Sequence, residues 1–159
     1  MDPLITLKLI VVGFLFLLSG FFSCSEAALF SLTPLHLHKM AEDRAPFLAT
    51  VRALLAHPKR LLITIVVGNE IVNIGISVFM ASIFLALFPA DGAWMAVIVT
   101  TLLVLVFGET LPKTFGVVYT MSLSAFLSPL LNLVSRVEKP IVWALEAISE
   151  RFVSLLTRG

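Results

Sequence analysis

Residues 61–93 read LLITIVVGNEIVNIGISVFMASIFLALFPADGA, and this stretch decides the fold. Its apolar part, Leu61 to Phe88, exceeds the roughly 20 residues that an α-helix needs to cross a bilayer at about 1.5 Å per residue. Pro89-Ala90-Asp91-Gly92 then reads as a tight turn. A second apolar run, Ala93 to about Phe115, follows at once, so the two runs form an antiparallel helical hairpin. Upstream, Leu4 to about Leu32 makes a further span. The spans are thus 4–32, 61–88 and 93–115, and the surplus length of the first two permits tilt or a local break.

Composition agrees with this pattern. The 159 residues are 59% hydrophobic and only 13% charged, against roughly 25% charged in a soluble domain. In hydrocarbon every backbone polar group must be satisfied internally, so the chain is expected to be an all-α membrane protein, a single transmembrane domain over residues 1–159. A net charge of +1 without a basic stripe argues against a nucleic-acid partner. The single cysteine, Cys24, excludes an internal disulfide. The N-terminus carries Asp2 where a secretory signal has a basic cluster, and it is read as a span.

Orientation follows from the basic residues. Lys39, Arg44, Arg52, Lys59 and Arg60 lie between spans one and two, and Lys113, Arg136, Lys139, Arg151 and Arg158 follow span three, whereas the turn at Asp91 has none. This places the N-terminus outside and the C-terminus in the cytoplasm, with Lys8 snorkelling to the outer face. Segments 34–58 and 117–158 then form cytoplasmic juxtamembrane helices. In the first, Leu48, Val51, Leu54 and Leu55 share an apolar side; in the second, Ser124, Ser128 and Asn132 make a polar stripe near Pro129. In the last segment Ile141, Leu145, Ile148, Phe152 and Leu155 line one side, and Glu146, Ser149, Glu150 and Thr157 another, which suits an interfacial helix.

Three carboxylates, Glu26, Glu70 and Glu109, sit inside the apolar segments. An ionisable group at membrane depth costs about 2.5 to 3.5 kcal/mol on insertion scales, so each implies a compensating role. Counted from the cytoplasmic ends, Ser23 and Ser25, Asn69 and Asn73, and Glu109 all fall roughly 9 to 18 Å deep. Asn69 and Asn73, four apart, share one helical face. Pro112 removes the donor for the Gly108 carbonyl, freeing a further oxygen beside Glu109. Ser23 and Ser25 diverge by about 200° on a regular helix, so both reach one ion only if span one is unwound there.

The candidate ligands are therefore Ser23, Ser25, Asn69, Asn73, Glu109 and the Gly108 carbonyl. Oxygen ligands without a His or Cys cluster favour a hard cation such as Mg²⁺, Ca²⁺ or Na⁺. Other roles are open: Ser and Asn as interhelical packing contacts, Glu26 as a partner of Lys113, Glu70 as a cap or bridge. Gly13, Gly20 and Ala27, and Gly68, Gly75 and Ser82, repeat every seven residues and read as helix contacts within or between subunits. His36, His38 and His57 read as solvated loop residues. No catalytic motif is present, so the chain is not expected to be an enzyme.

With these residues in view, the chain resembles the transmembrane domain of the CorC/CorB and cyclin M (CNNM) magnesium transporters. The resemblance rests on Phe22-Ser23-Cys24-Ser25-Glu26-Ala27-Ala28-Leu29-Phe30-Ser31, Gly68-Asn69-Glu70-Ile71-Val72-Asn73-Ile74 and Phe107-Gly108-Glu109-Thr110-Leu111-Pro112-Lys113-Thr114, and it covers essentially the whole chain. It implies a homodimer of three-span subunits with a belt of juxtamembrane helices, in a bacterial or archaeal plasma membrane. It further implies Mg²⁺ held in an inward-facing cavity and exported in exchange for Na⁺, with the Ser23/Ser25 break, Asn73 and Glu109 as ligands. The alternative is a membrane sensor or scaffold that relays ion occupancy to cytosolic domains. The chain departs from the family pattern at Cys24, Ala27 and Glu70, where the family has Gly, Thr and Asn. Relatives continue into cytosolic CBS domains absent from these 159 residues, so the chain is expected to be a truncated piece or a minimal member.

Overall fold

A computed structural model describes residues 3–157, with the side chains of Phe152 and residues 155–157 outside that description. All regular structure among the described residues is helical. Helix α1 (Pro3–Phe30) is followed by two short helices, α2 (Pro34–Glu42) and α3 (Leu48–Leu55), and then by α4 (Pro58–Leu87). A third long segment comprises α5 (Gly92–Leu103), a π-helical stretch (Val104–Thr110) and α6 (Leu111–Val118). Two further helices, α7 (Thr120–Val137) and α8 (Lys139–Thr157), complete the chain. Among the described residues three segments are long and apolar enough to cross a membrane: Pro3–Phe30, Pro58–Leu87 and Gly92–Val118.

Helix α1 sits at the centre, packed against α4, the third span and α7. Val12, Phe22 and Leu29 of α1 meet Ile65, Val72 and Ile76 of α4 in the buried core. Around this core lies a continuous apolar exterior, including Phe14 and Leu17 on α1, Ile74 and Val78 on α4, and Val97 and Leu102 on α5. An exposed surface of that kind is stable only against lipid.

Small residues set how closely the helices approach. A Cβ at Gly116 of α6 would stand 2.6 Å from the Cys24 carbonyl oxygen and 2.9 Å from Ala27 Cβ, so α6 crosses α1 nearly backbone to backbone. Gly68 is covered by the Phe22 ring, Gly75 by Leu15 and Gly20 by Pro112. Most glycines of the seven-residue repeats thus make helix contacts within the chain. Gly75 meets the Leu15 side chain of α1 at 3.3 Å, and Gly13 faces open space.

The ends of the spans are tied by polar contacts. Lys8 Nζ donates to Ser82 Oγ at 2.6 Å, joining the start of α1 to the last third of α4. Lys113 Nζ pairs with Glu26 Oε2 at 3.1 Å, joining the end of α1 to α6. In the hairpin turn the Gly92 N–H donates to the Phe88 carbonyl at 2.7 Å, and a Cβ at Gly92 would meet the Phe84 carbonyl oxygen at 2.5 Å.

The short helices form a belt at one end of the bundle. Thr33 caps α2 by accepting from the His36 N–H, and His36 Nδ1 accepts in return from the Thr33 N–H. His36 is thus a capping residue, not merely a solvated one. His38 pairs with Glu42 at 3.4 Å on the exposed face of α2. Helix α7 runs through Pro129 without interruption, with Ser124 and Ser128 buried and donating to the Met121 and Ala125 carbonyls. Helix α8 turns Glu146 and Glu150 toward Arg60 and Lys59 of α4. It leaves Ile141, Leu145 and Ile148 exposed, as an interfacial helix must; the Phe152 and Leu155 side chains of the expected apolar side lie outside the described residues.

One expectation fails here. Helix α1 is continuous through Ser23, Cys24 and Ser25, with no unwound segment. Nothing in that stretch removes a backbone donor, and in hydrocarbon an intact i→i−4 ladder is the least costly arrangement. The irregular backbone lies in the third span instead. There the Leu111 N–H donates to the Val106 carbonyl, five residues back. Residue 112 would serve Gly108 in an α register and Phe107 in a π register, and being proline it serves neither.

Candidate ion site

Midway along α1, the buried Ser19 hydroxyl faces both α4 and the π segment. It donates to Asn73 Oδ1 at 2.8 Å and lies 3.2 Å from Asn69 Oδ1. The Gly108 carbonyl oxygen stands 3.5 Å from the same hydroxyl, close to the limit of a hydrogen bond. Asn69 and Asn73 converge as their four-residue spacing requires. Gly108 can approach only because it lacks a side chain: a Cβ there would stand 2.8 Å from Ser19 Oγ.

Three oxygens, two from amides and one from a backbone carbonyl, converge on the Ser19 hydroxyl. Neutral oxygens gathered in this way are ligands of the kind that a hard cation takes.

Ser23 lies one turn beyond Ser19 on the same helical face, about 6 Å along the axis. Its hydroxyl is fully buried with no hydrogen-bond partner among the described residues. Ser25 is equally buried and unpartnered but projects about 240° around α1 from Ser19. With α1 unbroken, the Ser23 and Ser25 hydroxyls point to different sides of the helix.

The carboxylates do not gather. Glu26 is held by Lys113, and Glu70 is exposed on α4 without a hydrogen bond or ion pair among the described residues. Glu109 is half-buried, one peptide bond from Gly108, and makes no ion pair among the described residues. No group of three or more His, Cys, Asp or Glu side chains among them could hold a metal. The site is therefore neutral oxygens with a single acidic neighbour.

Ser19 is absent from the sequence-derived set. Its signal was available: it stands four residues before Ser23 and next to Gly20, on the face that small residues mark for close approach. On the other side of the cluster, Asn73 also lines a cavity of about 210 Å³ with Ser77, Thr100 and Thr101, where the buried Thr100 hydroxyl has no partner.

The same chain matches the cyclin M transmembrane N-terminal domain over residues 9–158. It belongs to the cyclin M family. This cyclin M chain is 34% identical over 149 residues to the UPF0053 protein sll1254 of Synechocystis, covering 92% of the chain and 42% of that relative. It is 32% identical over 139 residues to the UPF0053 inner membrane protein YfjD of Escherichia coli, covering 87% of the chain and 32% of the relative. It is also 28% identical over 141 residues to the metal transporter cnnm-1 of Caenorhabditis elegans, covering 86% of the chain and 16% of the relative. The chain thus spans less than half the length of these relatives.

Proposed function

We propose that this cyclin M chain forms the membrane-embedded ion path of a magnesium transporter. The observation that carries the reading is the convergence of the Asn69, Asn73 and Gly108 oxygens on the Ser19 hydroxyl. A divalent cation is held there by the lone pairs of these oxygens, with the Ser19 hydroxyl keeping its proton and turning its own oxygen toward the ion. Mg²⁺ requires near-octahedral oxygens at about 2.0 to 2.1 Å and sheds water reluctantly, so neutral oxygens alone do not capture it. Glu109 supplies the full negative charge, its neighbour Gly108 supplies a carbonyl, and Ser23 supplies the next oxygen along the path. The C. elegans relative named as a metal transporter supports the same reading.

The finer reading is export of Mg²⁺ against Na⁺ by a homodimer, with the belt end in the cytoplasm, where its Lys and Arg residues satisfy the positive-inside bias. The cavity beyond Asn73, where the Ser77, Thr100 and Thr101 hydroxyls stand among alanines and valines without a carboxylate, is offered to a monovalent ion moving the other way. The test is reconstitution in liposomes with a Mg²⁺ indicator, with and without a Na⁺ gradient. Na⁺-dependent Mg²⁺ flux that is lost in Asn73→Ala supports the assignment. Mg²⁺ binding without flux under either condition makes the protein a sensor or scaffold, and absence of both removes the ion site.

A further inference from the structure

A second polar cavity, of about 200 Å³, lies at the belt end where α3, the first turns of α4 and the α7–α8 junction meet. That is room for about seven waters at roughly 30 Å³ each. Its charge is unlike that of the ion site. Arg60, Arg136 and Lys139 line it together with His57, and its walls contribute the Asn132 amide and the Ser135 hydroxyl. The acids in reach do not balance these cations. Glu146 pairs with Arg60 at 3.4 Å and Glu150 with Lys59 at 3.1 Å, while Arg136 and Lys139 have no ion pair among the described residues. Glu138, between them in sequence, does not line the cavity.

A second feature points to an occupant. Thr64, one turn into α4 from Arg60, is fully buried, lines the cavity, and carries a hydroxyl with no hydrogen-bond partner. Orphaned hydroxyls at membrane depth are costly, and one set among two unpaired cations is placed to donate to an anion. The start of α4 adds its own unpaired N–H groups, since the first intrahelical donor is the Leu61 N–H, bonded to the His57 carbonyl.

We propose that this cavity binds the phosphate of an anionic phospholipid headgroup. Arg136 and Lys139 hold the phosphate oxygens, and Thr64 donates from below. A lipid is favoured over a free phosphate because exposed apolar side chains stand on the same helix segments as the cations: Leu133 and Val137 next to Asn132 and Arg136 on α7, and Trp143 one turn from Lys139 on α8. A bound headgroup leaves its acyl chains on that surface, whereas a free anion gains nothing from it. The site is separate from the ion cluster and stands or falls independently of the transport reading.

The test is native mass spectrometry of the chain extracted from vesicles of phosphatidylcholine with added phosphatidylglycerol. Retained phosphatidylglycerol is expected, falling about fivefold for each cation removed in Arg136→Gln and Lys139→Gln. Thr64→Val, close to isosteric, is expected to weaken retention about threefold. Lys59→Gln removes a cation outside this cavity and is expected to leave retention unchanged. Equal losses in Lys59→Gln and Arg136→Gln, or no loss in the Arg136→Gln/Lys139→Gln pair, overturn the site. Inorganic phosphate binding as tightly in pure phosphatidylcholine overturns the lipid, and displacement of the lipid by an acidic peptide at lower concentration makes the occupant a protein segment.

Discussion

The first and third spans both carry a polar motif flanked by small residues, yet only the third leaves α geometry. Around Ser23-Cys24-Ser25 the backbone ladder of α1 is complete, and the two hydroxyls are simply enclosed. Between Val104 and Thr110 the ladder shifts to a five-residue register, and the Gly108 carbonyl comes within reach of Ser19. The difference teaches that polar side chains do not open a membrane helix. In the third span the change of register falls beside Pro112, which removes a backbone donor, whereas α7 carries Pro129 without a break.

The comparison breaks most sharply at Glu109. Glu109→Gln keeps the shape and deletes the charge beside the irregular segment, so Mg²⁺ affinity by titration calorimetry is expected to fall at least about 100-fold, as befits loss of a full charge at the ion. Glu70→Asn, on a regular and exposed part of α4, is expected to change affinity less than about threefold. A larger loss at Glu70 would move the ion to the wrong helix for this account.

Packing gives the next effect. Gly116→Leu drives a side chain into the Cys24 carbonyl and Ala27, and it is expected to cost about 3 kcal/mol, read as earlier unfolding in detergent. Gly13→Leu faces open space on the same bundle and is expected to leave unfolding unchanged within about 0.5 kcal/mol.

Along α1 itself the serines separate by face. Ser19→Ala removes the hydroxyl common to Asn69, Asn73 and Gly108, and is expected to weaken Mg²⁺ binding about tenfold. Ser25→Ala is expected to stay within about twofold, because its hydroxyl projects away from the cluster. Equal effects from the two would mean that α1 unwinds when the ion binds.

The smallest effect lies outside the spans. Glu138 is half-buried, with one carboxylate oxygen shut off from water and unpartnered, and burial raises its pKa. A carboxyl raised on folding favours the folded state below its unfolded pKa and loses that contribution as pH rises through the folded value. Glu138→Gln is therefore expected to raise the melting temperature slightly near about pH 8 and to have no effect near about pH 4.

Much of this was legible in the residues. Apolar run lengths and the Pro89–Gly92 turn specify the three spans and their hairpin, and the spacing of Asn69 and Asn73 specifies a shared face. The pairing of Glu26 with Lys113 was one of two readings open from their positions. What stayed hidden was register. Ser23-Cys24-Ser25 and Gly108-to-Pro112 both looked able to interrupt a helix, and surplus length drew the break to span one. Side-chain polarity is visible in a sequence, whereas the choice between four- and five-residue bonding depends on which neighbour claims the stranded carbonyl. Ser19 is that neighbour, and it sits in an apolar run where a single serine reads as filler.

Lys8 fastens one end of α1 to α4, and Glu26 fastens the other end to the third span. Ser19 lies between them, about 16 Å from the first tie and about 10 Å from the second. Any motion that parts α4 from the third span must therefore break a tie or swing α1 like a lever. The fulcrum of that lever falls near Ser19, where a small swing is enough to separate the amide oxygens of one span from the carbonyl of the other.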